Sequence, residues 1–165
     1  MSRILVALLF CVSAQAFAAV SEGNLAPNFK LPGLKNTETG AMVSLSDYKG
    51  KVVYLDFWAS WCGPCRVSLP LLNDMYKELA PKGFEVVAVN IDETQADAVN
   101  FLTEYPVDYP VLADPEGSVP AVYEPKGMPT SYLIDRSGRV QIVHTGFKKG
   151  DLPAIRSKIE TLLAQ

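Results

Sequence analysis

Hydrophobic positions along this chain fall into continuous runs and helically spaced ones. Lys51 to Phe57 and Phe84 to Ile91 are apolar stretches with the length and composition of strands buried on both faces. Between them Val67, Leu71, Leu72, Met75 and Leu79 recur at helical spacing, which predicts a helix to about Ala80 that Pro81-Lys82-Gly83 ends. Strand, helix, strand predicts a parallel, right-handed crossover. Ahead of this unit, Ala26 to Leu34 is an extended lead-in punctuated by proline and glycine. A turn at Asn36 to Gly40 and a short strand near Met42 to Leu45 complete an N-terminal hairpin. Beyond it, Thr94 to Tyr105 can form a helix with Thr94 as N-cap, Tyr109 to Leu112 a short strand, and Val119 to Tyr123 a second helical stretch. Ser131 to Ile134 and Val140 to His144 flank the turn Asp135-Arg136-Ser137-Gly138 and pair as a hairpin. Gly150-Asp151 caps a final amphipathic helix with Leu152, Ile155, Ile159 and Leu162 on one face. The order is βαβ, an inserted helix and strand, then ββα.

The first residues follow neither pattern. Met1-Ser2-Arg3 puts one positive charge ahead of the apolar stretch Ile4 to Val12, and small residues follow through Ala19. That is the arrangement of a secretory signal peptide, with cleavage expected after Ala16 or Ala18. The apolar run is far shorter than the ~20 residues that span a bilayer, so no stable membrane anchor is expected after cleavage. Residues 1–18 are therefore read as a leader and 19–165 as one exported, periplasmic domain. Cys11 lies inside the apolar segment, behind bulky Phe10, and would leave with it. The mature chain then holds two cysteines, Cys62 and Cys65. With 165 residues, 48% of them hydrophobic and 20% charged, the chain can bury one sizeable core. A net charge of -3 shows no basic excess for nucleic acid, so partners are to be sought at an active site.

The first long apolar strand runs straight into Trp61-Cys62-Gly63-Pro64-Cys65. Two thiols separated by two residues at the start of a helix can close into a small disulfide, and the helix N-terminus stabilises the thiolate of the first. Zinc would need four ligands, and the mature chain offers no third cysteine and only His144. A purely structural disulfide would close too small a loop to remove much chain entropy. Neither a metal nor another cofactor is expected. Six residues before Cys62, Asp56 interrupts the apolar strand. Read from the residues alone, it is either a buried carboxyl with a raised pKa that accepts a proton, or a strand-end carboxylate that reaches solvent or caps the cysteine helix.

The stretch Phe57-Trp58-Ala59-Ser60-Trp61-Cys62-Gly63-Pro64-Cys65, Pro70 five residues after Cys65, Gly127-Met128-Pro129-Thr130 ahead of a strand, and Gly146 after the last strand together resemble thioredoxin. The resemblance covers nearly all of the mature chain. The N-terminal hairpin, the Ala26-Pro27-Asn28-Phe29 lead-in, the insertion between Asp92 and Leu112 and the leader narrow it to the TlpA-like branch of exported thiol-disulfide proteins. It implies an α/β thioredoxin fold: a central mixed sheet with helices on both faces, an N-terminal β-hairpin and an inserted helix-strand unit. It implies Cys62 as the nucleophile at an exposed helix start, Cys65 as the resolving thiol, and Asp56 as the acceptor of the Cys65 proton. Pro129 is expected in the cis form facing the disulfide, with the Met128 backbone pairing with an extended substrate strand. Trp61 is expected to cover the site as a substrate platform and Trp58 to sit in the core. Pro64 would restrain the Gly63-Pro64 loop and Pro70 would kink the helix.

Two positions depart from the pattern. Ser68 stands where many TlpA-like proteins carry a glutamate three residues after the second cysteine, and Ala88 stands where cytosolic thioredoxins place a lysine near the buried aspartate. Without that cation the Asp56 pKa should be governed by desolvation and lie higher. His144, alternating with Ile142 and Val140, reads as a packed or surface histidine, and Arg66 equally as an aid to the thiolate or as a solvated helix residue. The leading expectation is an exported oxidoreductase that reduces protein disulfides and is recharged by a membrane electron donor. A peroxiredoxin-like peroxidase is the competing enzyme, but Ala59 and Leu55 stand where such peroxidases carry Thr or Ser and Pro. A redox-inactive binding module is the third reading, opposed by the intact cysteine motif and Asp56.

Overall fold

The computed structural model describes residues 20–38 and 40–165; the expected leader, Cys11 included, lies outside them. In chain order the elements are β1 (Lys30–Lys35), β2 (Met42–Ser44), β3 (Val52–Trp58), α1 (Cys65–Leu79), β4 (Phe84–Asn90), α2 (Gln95–Glu104), β5 (Val111–Ala113), α3 (Pro120–Tyr123), β6 (Thr130–Ile134), β7 (Val140–Thr145) and α4 (Leu152–Leu163). The strands form one mixed sheet in the order β2-β1-β5-β4-β3-β6-β7. β3, β4 and β5 are parallel, whereas β6 runs antiparallel to β3 and β7 antiparallel to β6. This is the mixed sheet of a thioredoxin fold, with β3 and β4 at its centre and every residue of both buried.

The two faces of β3 explain where the chemistry sits. Tyr54 and Trp58 join Cys65, Leu69, Leu72, Ile155 and Ile159 in one apolar cluster, beneath α1 and α4. Leu55 and Phe57 join Leu112, Tyr123 and Tyr132 in the other. Asp56, between Tyr54 and Trp58 in the alternation, therefore faces the cysteine layer. The two faces are covered unequally. Buried apolar residues of α1, α2 and α4 all belong to the first cluster, while the short α3, Phe29 of the lead-in, and Leu45 and Tyr48 after β2 cover the second.

Local details differ from expectation for identifiable reasons. β5 starts at Val111 instead of Tyr109, because Pro110 has no N–H to give a ladder and contributes only its carbonyl, to the Ala88 N–H at 3.0 Å. Thr94 does occupy the N-cap of α2, with extended backbone, but its side chain makes no cap bond. The Asp151 carboxylate accepts the Lys148 N–H at 2.8 Å, closing the short turn before α4 instead of capping α4 itself. α1 continues through Pro70 from Cys65 to Leu79. The N-terminal hairpin extends the sheet, since β1 pairs with β5 through Gly33 and Lys35.

Asn36 holds that junction. It adopts a left-handed backbone (φ 56°), and its side-chain amide donates to the carbonyls of Val107 at 2.7 Å and Tyr109 at 2.9 Å. Asparagine is one of the few residues that tolerates this conformation. Asn36→Ala should therefore lower the unfolding free energy by about 2 kcal/mol, from backbone strain and two lost hydrogen bonds, measured by urea denaturation. Asn36→Gly removes only the bonds and should cost less; a glycine variant as damaged as the alanine one would contradict the strain component.

Candidate active site

Cys62 and Cys65 are joined in a disulfide with their Cα atoms 5.3 Å apart. Backbone bonds from Cys65 N–H to Cys62 C=O and from Arg66 N–H to Gly63 C=O carry the spiral of α1 back to Cys62, placing it at the positive end of the helix. Cys62 is more covered than an exposed helix start implies: it is 3% exposed and Cys65 is completely buried. The open surface belongs to its neighbours Trp61, Gly63 and Pro64, with Trp61 66% exposed. An incoming disulfide therefore meets the Trp61 ring and the Gly63-Pro64 loop first, and Cys62 before Cys65. Trp58 is wholly buried against Phe101, as expected of a core residue.

The approach to the disulfide is fixed by a carboxylate that the sequence did not single out. Asp92 is 4% exposed and accepts hydrogen bonds from the Ser60 N–H (2.9 Å), the Ser60 hydroxyl (2.9 Å) and the Asn90 side-chain amide (2.7 Å). It clamps the loop that carries Trp61 and Cys62 to the end of β4. The Asn90-Ile91-Asp92 spacing just past a strand was the available signal for a side-chain-closed turn.

On the other side lies Gly127-Met128-Pro129-Thr130, whose Met128–Pro129 bond is cis. The Thr130 hydroxyl donates to the Gly127 carbonyl at 2.8 Å and the Gly146 N–H to the Pro129 carbonyl at 2.7 Å, tying this loop to the end of β7. Met128 is partly buried and packs against both apolar clusters. Among the described residues its own N–H and carbonyl make no loop hydrogen bond.

Asp56 is 1% exposed. It pairs in register with Ala88 on β4 and Ser131 on β6, so no cation faces it from β4. The Ser131 hydroxyl donates to Asp56 Oδ1 at 2.6 Å, while Oδ2 has no partner among the described residues. Burial pushes the carboxyl from its ordinary 3.8 up to about 7, with the Ser131 hydrogen bond opposing the rise. The Tyr109 hydroxyl, which donates to the Leu69 carbonyl at 3.3 Å, is pushed well up by burial and then by the Asp56 charge, so it belongs to the same neighbourhood. Ser131, like Asp92, escaped the sequence reading, because its importance comes from register across 75 positions of chain. Ser68 is 1% exposed and directs its hydroxyl to the Cys65 carbonyl at 3.4 Å, leaving no acidic group at that point on α1. Arg66 is exposed, and His144 lies on β7 with Nε2 3.4 Å from Asp151 Oδ2.

Residues 23–143 match the model of the AhpC/TSA family. The chain is 38% identical over 149 residues to the thiol-disulfide oxidoreductase ResA of Oceanobacillus iheyensis, covering 84% of this chain and 78% of that one. It is 40% identical over 128 residues to ResA of Bacillus subtilis, covering 78% and 69%. Among solved structures, one assigned as the thiol:disulfide interchange protein DsbE from Chlorobium tepidum superposes with a TM-score of 0.83 at 50% identity, over 88% of this chain and 99% of that one.

A carboxyl raised from 3.8 to about 7 binds its proton more tightly in the folded chain than in the unfolded one. Its contribution is therefore least unfavourable below about pH 4, and stability falls as pH rises from about 4 to 7, then levels off. Asp56→Asn removes that penalty. The variant should be more stable than the parent at pH 8, by at most about 4 kcal/mol, and the gap should shrink towards pH 4, in paired denaturant titrations. A gap that does not change with pH would contradict the buried, titrating carboxyl.

Proposed function

The chain belongs to the AhpC/TSA family within the thioredoxin superfamily and is a thiol-disulfide oxidoreductase acting on protein substrates; from that premise we propose that it is an exported reductase of protein disulfides, working through Cys62, Cys65 and Asp56. The observation that carries the reading is the layering at the end of β3: a barely exposed Cys62, a fully buried Cys65, and an unpaired carboxyl oxygen of Asp56 facing the same layer.

The reduced dithiol begins the cycle. The Cys62 thiolate, favoured by the positive end of α1, attacks one sulfur of the substrate disulfide. A Cys62–substrate bond forms and the other substrate sulfur leaves as a thiolate that takes a proton from solvent. Asp56, as carboxylate, then takes the Cys65 thiol proton, and the Cys65 thiolate attacks Cys62 Sγ. The Cys62–substrate bond breaks, the second substrate sulfur leaves as a thiolate that takes a proton from solvent, and the enzyme is left in the disulfide state seen here with the Cys65 proton on Asp56. With a carboxyl value near 7, Asp56 matches a proton-acceptor role at neutral pH. The free Met128 backbone next to Pro129 would hold an extended substrate strand by β-augmentation, with Trp61 covering it from the opposite side.

Direction and place complete the proposal. The Gly63-Pro64 dipeptide matches reducing thioredoxins, which favours reduction. The charged, apolar, small-residue pattern over residues 1–18 supports export to the periplasm, and none of the described helices is long and apolar enough to cross a membrane. An exported reductase needs two electrons and two protons per turnover to restore the dithiol, which a membrane electron donor would supply.

Cys65→Ser should accumulate a stable mixed disulfide with a disulfide-containing protein through Cys62, visible on non-reducing gels, and Cys62→Ser should not; trapping by Cys62→Ser alone would reverse the assignment. In stopped flow, Asp56→Asn should leave formation of the mixed disulfide unchanged and slow its resolution roughly a hundredfold near pH 7. Unchanged resolution would remove Asp56 from the mechanism.

A further inference from the structure

Five buried side-chain polar atoms lack a hydrogen-bond partner among the described residues, and four of them, Tyr54 OH, Asp56 Oδ2, Trp58 Nε1 and His144 Nε2, belong to one face of neighbouring strands. Asp56 on β3 pairs with Ser131 on β6, and Ser131 pairs with His144 on β7, so the three side chains form a row across the sheet. Leu133 and Ile142, two residues along the same face, pack into the cysteine-side cluster, which fixes that face as the one beneath α1 and α4. Tyr54 completes the group. Its hydroxyl lies near Ser131 and is pushed up by burial first and then by the charges of Asp56 and Asp151, yet it closes no hydrogen bond. At the far end of the row, His144 Nε2 is 3.4 Å from Asp151 Oδ2, and those side chains are 24% and 33% exposed. Buried polar atoms left open in this way are the usual lining of internal water.

A carboxyl whose value lies near 7 is protonated in part of the molecules at neutral pH and must give that proton up before it can activate Cys65, yet the carboxyl itself is 1% exposed. We propose that His144, backed by Asp151, is the outlet through which the Asp56 proton reaches solvent, relayed by water held between Tyr54, Ser131 and His144. This rests on the reading of Asp56 as acceptor of the Cys65 proton. The proton leaves Asp56 Oδ2 for the water, the water protonates His144 Nε2, and the imidazolium, beside Asp151, releases a proton to solvent and returns to neutral. No sulfur bond changes in these steps. The other ionisable groups facing Asp56 are Cys65 from α1, which supplies the proton, and Tyr109 ahead of β5, whose hydroxyl is engaged with Leu69. β4 presents only Ala88, and Lys148 and Lys149 near His144 are exposed. His144 is therefore a positioning and proton-transfer residue, not one that touches substrate.

The test uses the mature protein, with glutathione disulfide as the substrate, in single-turnover stopped flow at pH 6. There most Asp56 carboxyls start protonated and must release the proton before Cys65 can be activated. In dilute buffer, His144→Gln should slow resolution on the order of tenfold, less than loss of the base itself, with mixed-disulfide formation unchanged and the rate restored by added imidazole. Asp56→Asn should be slow at every imidazole concentration. A His144→Gln rate equal to the parent's in dilute buffer, beside a slow Asp56→Asn, would overturn the outlet while leaving Asp56 in place. Slowing of both steps without imidazole rescue would also overturn it, showing a structural role. A fast Asp56→Asn would remove the reading on which the outlet rests.

Discussion

One carboxyl group held in an apolar layer sets the terms for the rest of this molecule. Asp56 sits in the central strand, 1% exposed, with a single hydrogen bond from Ser131. Burying an ionised carboxylate there is costly enough that the group moves its pKa to about 7 instead of remaining charged throughout. The fold bears that cost because β3 is locked on both sides, by β4 in parallel and β6 antiparallel, and cannot turn its face outward without exposing Tyr54 and Trp58. On the proposed mechanism, instability at one position thereby yields a proton acceptor suited to neutral pH.

The cysteines gain from the same layering. Cys65 is sealed beneath Cys62, so its thiol has no easy exchange with solvent, and a base inside the protein is the economical way to ionise it. Cys62 needs no such base, because the helix that begins just after it stabilises a thiolate by itself. On the proposed mechanism, two chemically identical residues three positions apart divide into an attacker and a resolver by their depth and by their place relative to the helix N-terminus. The Asp92 clamp on Ser60 and the Gly146 contact to Pro129 hold the two rims of the site at fixed places. Chemistry is set by the interior of the sheet and recognition by the loops at its end.

What was legible in the chain was local. The uninterrupted β3 and β4 runs, the helical spacing of α1 and the Trp61-to-Cys65 motif are each written within a few residues, and the structure has them where the pattern puts them. The residues alone leave Asp56 either buried or reaching solvent; the resemblance to thioredoxin, with Ala88 where a lysine could stand, favours the buried reading, and the structure has it 1% exposed with its carboxyl raised. The remainder depends on pairings between distant segments. Ser131 is 75 residues from Asp56 and Asp92 is 32 from Ser60; nothing local marks Ser131, and the Asn90-Ile91-Asp92 spacing marks a turn without naming Ser60 as its partner. His144 reads as an ordinary strand residue until register places it beside Ser131 and the start of α4 places Asp151 against it. Smaller departures have the same origin: Tyr109 has strand-like composition, but its neighbour Pro110 and its buried hydroxyl contact with Leu69 delay β5 to Val111.

The account stands most directly on the direction of electron flow, which the reduction potential of the Cys62–Cys65 couple decides. It is measured on the mature protein equilibrated against glutathione or dithiothreitol buffers. A value near the thioredoxin figure of about -270 mV is expected of a reductase recharged by a membrane donor. A value near about -120 mV would make the protein an oxidant and contradict the account.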